Sequence, residues 1–121
     1  MSVKHSTHNL EREDEGDITI VRVKTPQLSD DASTRDIFNS VSLLVSELGR
    51  HKIVLNLQQV QYIDSLTLGK LVMLNRRTQA AGGGLVLCHL QPVPDDTLET
   101  THLKHLMRLA ADEDSAKREL A

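Results

Sequence analysis

Three short aliphatic runs constrain this chain most: Ile18-Thr19-Ile20-Val21-Arg22-Val23, Ile53-Val54-Leu55-Asn56-Leu57 and Leu85-Val86-Leu87-Cys88. Runs of this length, rich in β-branched residues, predict strands, and the last two are apolar enough to be buried on both faces. Helical periodicity fills the gaps between them. In residues 32–49, Ile37, Val41, Leu44, Val45 and Leu48 fall at i, i+4, i+7, i+8 and i+11, one face of an amphipathic helix that Gly49 stops. Ser29, Asp30 and Asp31 are the candidate caps. A second helix is predicted over 65–81 and ends in Gly82-Gly83-Gly84. Strands alternating with helices imply an α/β fold, a mainly parallel sheet covered by helices.

The remaining segments complete a β-β-α-β-α-β-α-β-α order. Residues 1–8 are polar and aperiodic and read as a flexible leader before a single domain over 9–121. Residues 8–13 suit a poor edge strand, with Asp14-Glu15-Gly16-Asp17 as a turn. Pro26–Asp31 and 58–62 read as loops. Pro92 and Pro94 punctuate another loop, with Asp95 or Asp96 capping a short helix to about Thr101. Leu106–Ala110 suits a last strand and 112–120 a terminal helix.

Composition narrows the function classes. One Tyr, one Phe and no Trp leave little for an aromatic platform that stacks bases or sugars. A formal charge of −3 argues against bulk phosphate-backbone binding, so no direct nucleic-acid partner is expected. The apolar runs are far shorter than the ~20 residues of a membrane span. A single cysteine and a polar start fit a soluble, cytoplasmic protein without disulfides.

Few residues carry candidate chemistry. His102, His105 and the Cys88-His89 pair lack metal-site spacing, so neither a metal nor another cofactor is expected. Cys88 lies inside a predicted buried strand, a poor place for a nucleophile. The three glycines follow a helix and precede a strand, the wrong polarity for a phosphate cradle. The chain reads as a non-enzyme. Ser65 is the residue that stands out, because it lies where a strand meets a helix. Its hydroxyl can cap the first turn, or it can be exposed as a phosphate acceptor whose modification meets the helix dipole. Leu68, Leu71, Val72 and Asn75 should face the sheet. Leu66, Lys70, Met73 and Arg77 then form the outer stripe, which is either ordinary surface or a partner-binding strip.

The run from Ile53 to Gly69, with its apolar strand, loop, Ile63-Asp64-Ser65 and Leu68-Gly69, resembles the signature of the STAS domain and its anti-sigma-factor antagonists. Arg76-Arg77, the triple glycine, the 85–88 strand and the late leucines Leu103, Leu106 and Leu109 are similar in order, so the likeness spans roughly residues 10–120. It implies a four- or five-stranded mixed sheet with about four helices packed mainly on one side. It also implies a bacterial partner-switching role in transcription regulation and signal transduction. Ser65 would be the phosphorylation site. The unmodified chain would bind an anti-sigma factor that is also a serine protein kinase, phosphorylation would release it, and a phosphatase would reset the switch. The docking surface would comprise Asp64, Ser65, Leu66, Thr67, Lys70 and Met73 with the loop Ser29, Asp30 and Asp31, on a monomer or weak dimer. The sequence departs from the family pattern at Leu66 and Thr67, where small residues are usual, and at Pro26-Gln27-Leu28-Ser29, where Gly-x-Leu-Asp is common. The alternative reading is a ligand- or nucleotide-sensing or scaffolding STAS domain without a phosphorylation switch.

Overall fold

In the computed structural model, which describes residues 2–121, eight strands and four helices follow in the order β1 (Ser2–Ser6), β2 (Leu10–Glu15), β3 (Ile18–Val23), β4 (Gln27–Leu28), α1 (Ala32–Ser46), β5 (Lys52–Asn56), β6 (Tyr62–Ile63), α2 (Ser65–Ala80), β7 (Gly84–Cys88), α3 (Pro92–Thr100), β8 (Arg108–Ala110) and α4 (Glu113–Leu120). Six strands form one mixed sheet in the order β1-β2-β3-β5-β7-β8. The first three are antiparallel to one another, whereas β3, β5, β7 and β8 pair in parallel.

Alternation along the central strands sorts the core into two layers. Val21 and Val23 of β3, Ile53 and Leu55 of β5, and Leu85 and Leu87 of β7 join the larger cluster, with Ile37, Val41 and Leu44 of α1, Leu68 and Leu71 of α2, and Leu98 of α3. Ile20, Val54, Val86 and Cys88 point the other way, onto Ala116 and Leu120 of α4. Three helices therefore cover one face and one covers the other. The parallel strands lie side by side in chain order, so right-handed crossovers put every connecting helix on the same face. No strand follows α4, which is therefore free to take the opposite face.

Polar bonds reinforce α4. Arg22 donates to both carboxylate oxygens of Glu113 at 2.8 Å and to Glu13 at 2.9 Å, and Asn56 donates to Glu113 at 2.7 Å. The Arg22 guanidinium holds the Glu113 carboxyl below its usual range. Lys117 adds a 2.9 Å ion pair to Glu15.

Several boundaries differ from the sequence expectation. Ser2–Ser6, expected as a leader, is an edge strand antiparallel to β2 and exposed throughout, so the sheet has six strands rather than four or five. Its backbone pairing needs no apolar pattern. Residues 27–28 and 62, expected in loops, belong to a two-residue parallel pair of 27–28 with 62–63. Helix α3 begins at Pro92 rather than at Asp95 or Asp96, because proline fits the first helical turn, where its missing N–H costs nothing. Leu48, assigned to the core face of the first helix, lies beyond its end and is 57% exposed.

The triple glycine ends α2 in a Schellman arrangement. Gly82, at φ 92°, donates to the Gln79 carbonyl and Gly83 to that of Thr78. A Cβ on Gly83 would stand 2.0 Å from the His51 carbonyl oxygen, where β5 begins. Gly83→Ala should therefore destabilise the fold by at least about 2 kcal/mol, read as a lowered urea midpoint at unchanged slope.

Candidate functional site

The short β4–β6 pair sets the geometry of the site. Gln27 and Leu28 run parallel to Tyr62 and Ile63, and the Asp64 amide donates to the Leu28 carbonyl at 3.2 Å. Leu28 and Ile63 are each almost wholly buried, which anchors the pair. The chain leaves β4 into α1 and β6 into α2, so the two helix N-termini open side by side. The Ser29–Asp31 loop and the Asp64-Ser65 junction, which the family resemblance sets on one docking surface, thus occupy one corner of the molecule.

Both N-termini are capped alike. The Asp31 carboxylate accepts from the Thr34 amide at 2.7 Å, and the Asp64 carboxylate accepts from the Thr67 amide at 2.7 Å. Asp31 also accepts from the Ser29 hydroxyl at 3.0 Å and the Gln27 amide at 3.2 Å. These bonds, the Thr34 amide first, bring the Asp31 carboxyl down to about 2. Asp64 is also lowered, first by the Thr67 hydroxyl and amide, then by the Asp30 amide and the charge of Lys70. The Asp30 side chain itself is exposed and pairs with Arg35 at 3.1 Å.

Asp64, and not Ser65, caps α2. Ser65 is the first residue of α2 and not its cap; it is exposed, and among the described residues its hydroxyl makes no hydrogen bond. Helix geometry also leaves the Ser65 and Leu66 amides without an acceptor in α2. A phosphate at this position would meet free N–H groups and the positive end of the helix dipole. Thr67, expected on the docking surface, is 1% exposed beneath the Asp64 carboxylate. It is part of the support and not of the surface.

The outer stripe of α2 is laid out as the spacing predicts. Leu66 is 66% and Met73 56% exposed, and Lys70 is exposed between them. Leu68, Leu71, Val72 and Asn75 are buried. Sequence reasoning missed the contribution of α1: Phe38 and Ser42 line a groove with Leu66, Lys70, Met73 and Arg77, and the Arg77 guanidinium donates to the Ser42 hydroxyl at 3.1 Å. Phe38 and Ser42, four residues apart, mark this second face of the first helix in the sequence. Other candidates stay apart from this corner. Among the described residues no group of His, Cys, Asp and Glu is placed to hold a metal ion. Burial pushes the Cys88 thiol up to about 12, which leaves it a poor nucleophile.

The caps make stability acid-sensitive. Both carboxyls are lowered in the folded chain, so their stabilisation is complete above the unfolded aspartate value, near ~3.9. It is lost as pH falls through the folded values, towards about 2 for Asp31. Asp64→Ala should cost about 1 kcal/mol at pH 7, and Asp64→Asn only a few tenths because asparagine also caps. Urea midpoints at pH 6 and pH 3 should show the wild type losing more stability on acidification than Asp31→Asn.

The STAS domain profile matches residues 9–116. No curated protein sequence matches the chain. Among solved structures, the TM1081 protein of Thermotoga maritima has a TM-score of 0.74 at 21% identity, over 93% of this chain and 95% of that one. RsbS of Moorella thermoacetica, in a serine-to-glutamate variant, has a TM-score of 0.75 at 15% identity, over 91% of this chain and 92% of that one. The phosphorylated form of SpoIIAA, a Bacillus cell fate determinant, has a TM-score of 0.68 at 18% identity, over 91% of this chain and 98% of that one. Its unphosphorylated form, described as an anti-sigma factor antagonist, reaches 0.69 at 17% identity, over 98% of this chain and 96% of that one. At these identities the structures speak for the shared fold, while the profile match spans most of the chain: it belongs to the STAS domain family.

Proposed function

We propose that this chain is an anti-sigma-factor antagonist of a bacterial partner-switching system, a cytoplasmic binding module and not an enzyme. Its unphosphorylated form binds an anti-sigma factor that is also a serine kinase. Transfer of phosphate to Ser65 releases that partner, and a phosphatase restores binding. One observation carries the reading: Asp64 takes over the capping of α2, which leaves the adjacent Ser65 hydroxyl exposed and unbonded. Solved forms of SpoIIAA, one phosphorylated and one not, share this fold and support the choice of a phosphorylation switch.

The chemistry follows from the corner. A kinase removes the proton from the Ser65 Oγ as that oxygen attacks the γ-phosphorus of ATP, and ADP leaves. The new group carries roughly −1.5 to −2 charges at neutral pH. It stands beside Asp64, Asp30 and Asp31. The free first-turn amides of α2 stabilise it where it is, so the fold survives modification. Docking is a different matter, because a partner that buries this corner must strip water from the phosphate or bring cations to meet it. The exposed Leu66 next to Ser65 supplies apolar contact, and Lys70 one turn on supplies a charge to be matched.

Substitution at Ser65 tests this. Ser65→Asp should weaken binding to the cognate anti-sigma factor at least tenfold, about 1.4 kcal/mol, in calorimetric titration, whereas Ser65→Ala should bind like wild type and accept no phosphate. A Ser65→Asp chain that binds as tightly as wild type would contradict the switch. Calorimetry of the chain alone with GTP and with ATP should show no saturable heat; saturation would favour the nucleotide-sensing alternative.

A further inference from the structure

Helix α2 carries Lys70, Arg76 and Arg77 and no acidic residue, in a chain whose formal charge is −3. Most other lysines and arginines of the described residues are ion-paired, among them Arg12, Arg22, Arg35, Arg50, Lys52 and Lys104. None of the three on α2 has a carboxylate within ion-pair distance among the described residues, and Arg77 is held only by the neutral Ser42 hydroxyl. Two of these cations, Lys70 and Arg77, line the groove between α1 and α2.

Apart from the Ser42 hydroxyl, the rest of the groove is apolar. It is about 500 Å³ in volume, with Phe38 and Leu74 along it and the exposed Leu66 and Met73 on its α2 side. Leu66, Lys70, Met73 and Arg77 repeat at i, i+4, i+7 and i+11 along one stripe. Eleven residues of helix span about 16 Å, the length of three helical turns. Apolar positions thus alternate with cations over the reach of one short helix.

We infer that this groove receives an acidic amphipathic helix of a partner protein. The occupant's apolar face lies over Phe38, Leu66 and Met73, and its carboxylates meet Lys70 and Arg77. The pattern is the helix-in-groove mode, in which apolar anchors at helical spacing supply affinity and flanking charges supply selection. An occupant without acids would leave two cations partly desolvated and unmatched. A second copy of this chain is disfavoured because its own α2 would set like charges together. The inference rests on the reading that this face binds a partner, and it gives that partner's contact chemistry. It does not depend on whether Ser65 is phosphorylated.

A pair of synthetic peptides tests it with the full chain. One is an 18-residue helical peptide with leucines at i, i+3, i+4 and i+7 flanked by glutamates; the other has lysine for every glutamate. Titrations followed by backbone amide shifts should show the acidic peptide binding at least ~10-fold tighter than the basic one, with the largest shifts at Ser42, Leu66, Lys70 and Met73. The double variant Lys70→Glu with Arg77→Glu changes exposed residues only, and it should reverse the preference. Equal affinity, binding of neither peptide, shifts centred elsewhere, or groove shifts that appear on concentrating the chain alone would each overturn the inference. Phosphate mapping at Ser65 separates the two readings. Phosphate on Ser65 with no peptide preference defeats the groove alone, and peptide preference without phosphate defeats the switch alone.

Discussion

The burial of β5 on both faces is the constraint from which the architecture follows. Ile53 and Leu55 are sealed under the three crossover helices, and Val54 is sealed under α4. Each such side chain contributes on the order of 1.5–3 kcal/mol by leaving water. A strand dry on both faces takes neighbours in parallel, and parallel neighbours need crossovers. With the parallel strands laid in chain order, the crossovers share one face, and their N-termini gather beyond the carboxyl ends of the strands. The β4–β6 pair then sets two of those N-termini against each other.

At that corner the work is divided between adjacent residues. Asp64 and Asp31 each take one first-turn amide of α2 and α1, that of Thr67 and that of Thr34, and both threonines lie buried. Ser65 is thereby left free of structural duty. The opposite face of the sheet holds the buried and half-buried ion network of Arg22, Glu13 and Glu113 that docks α4. The ion network that docks α4 and the corner around Ser65 therefore sit on different faces of the sheet. Ser65 itself lies outside the ion network that docks α4.

Much of this was legible in the chain. The aliphatic runs identified β3, β5 and β7 because two-faced burial leaves an uninterrupted apolar signature. The faces of α2 followed from spacing alone, and Leu66 and Met73 stand exposed where the stripe put them. What escaped did so for physical reasons. Ser2–Ser6 is exposed at every residue, so no apolar pattern announces it. Two-residue strands have no period to read. The prolines of α3 mark a helix start as readily as a loop. Asp64 and Ser65 are both good caps, and only the bond from the Thr67 amide decides between them. Arg22 meets Glu113 across 91 residues, beyond any local rule.

The placement of phosphate tests the division between Asp64 and Ser65 most directly. The full chain is incubated with ATP and the serine kinase recovered as its binding partner, and its peptides are then mapped by mass. A single phosphate on Ser65 is the predicted result. Phosphate on Thr67, phosphate on Ser29, or none at all would contradict the account.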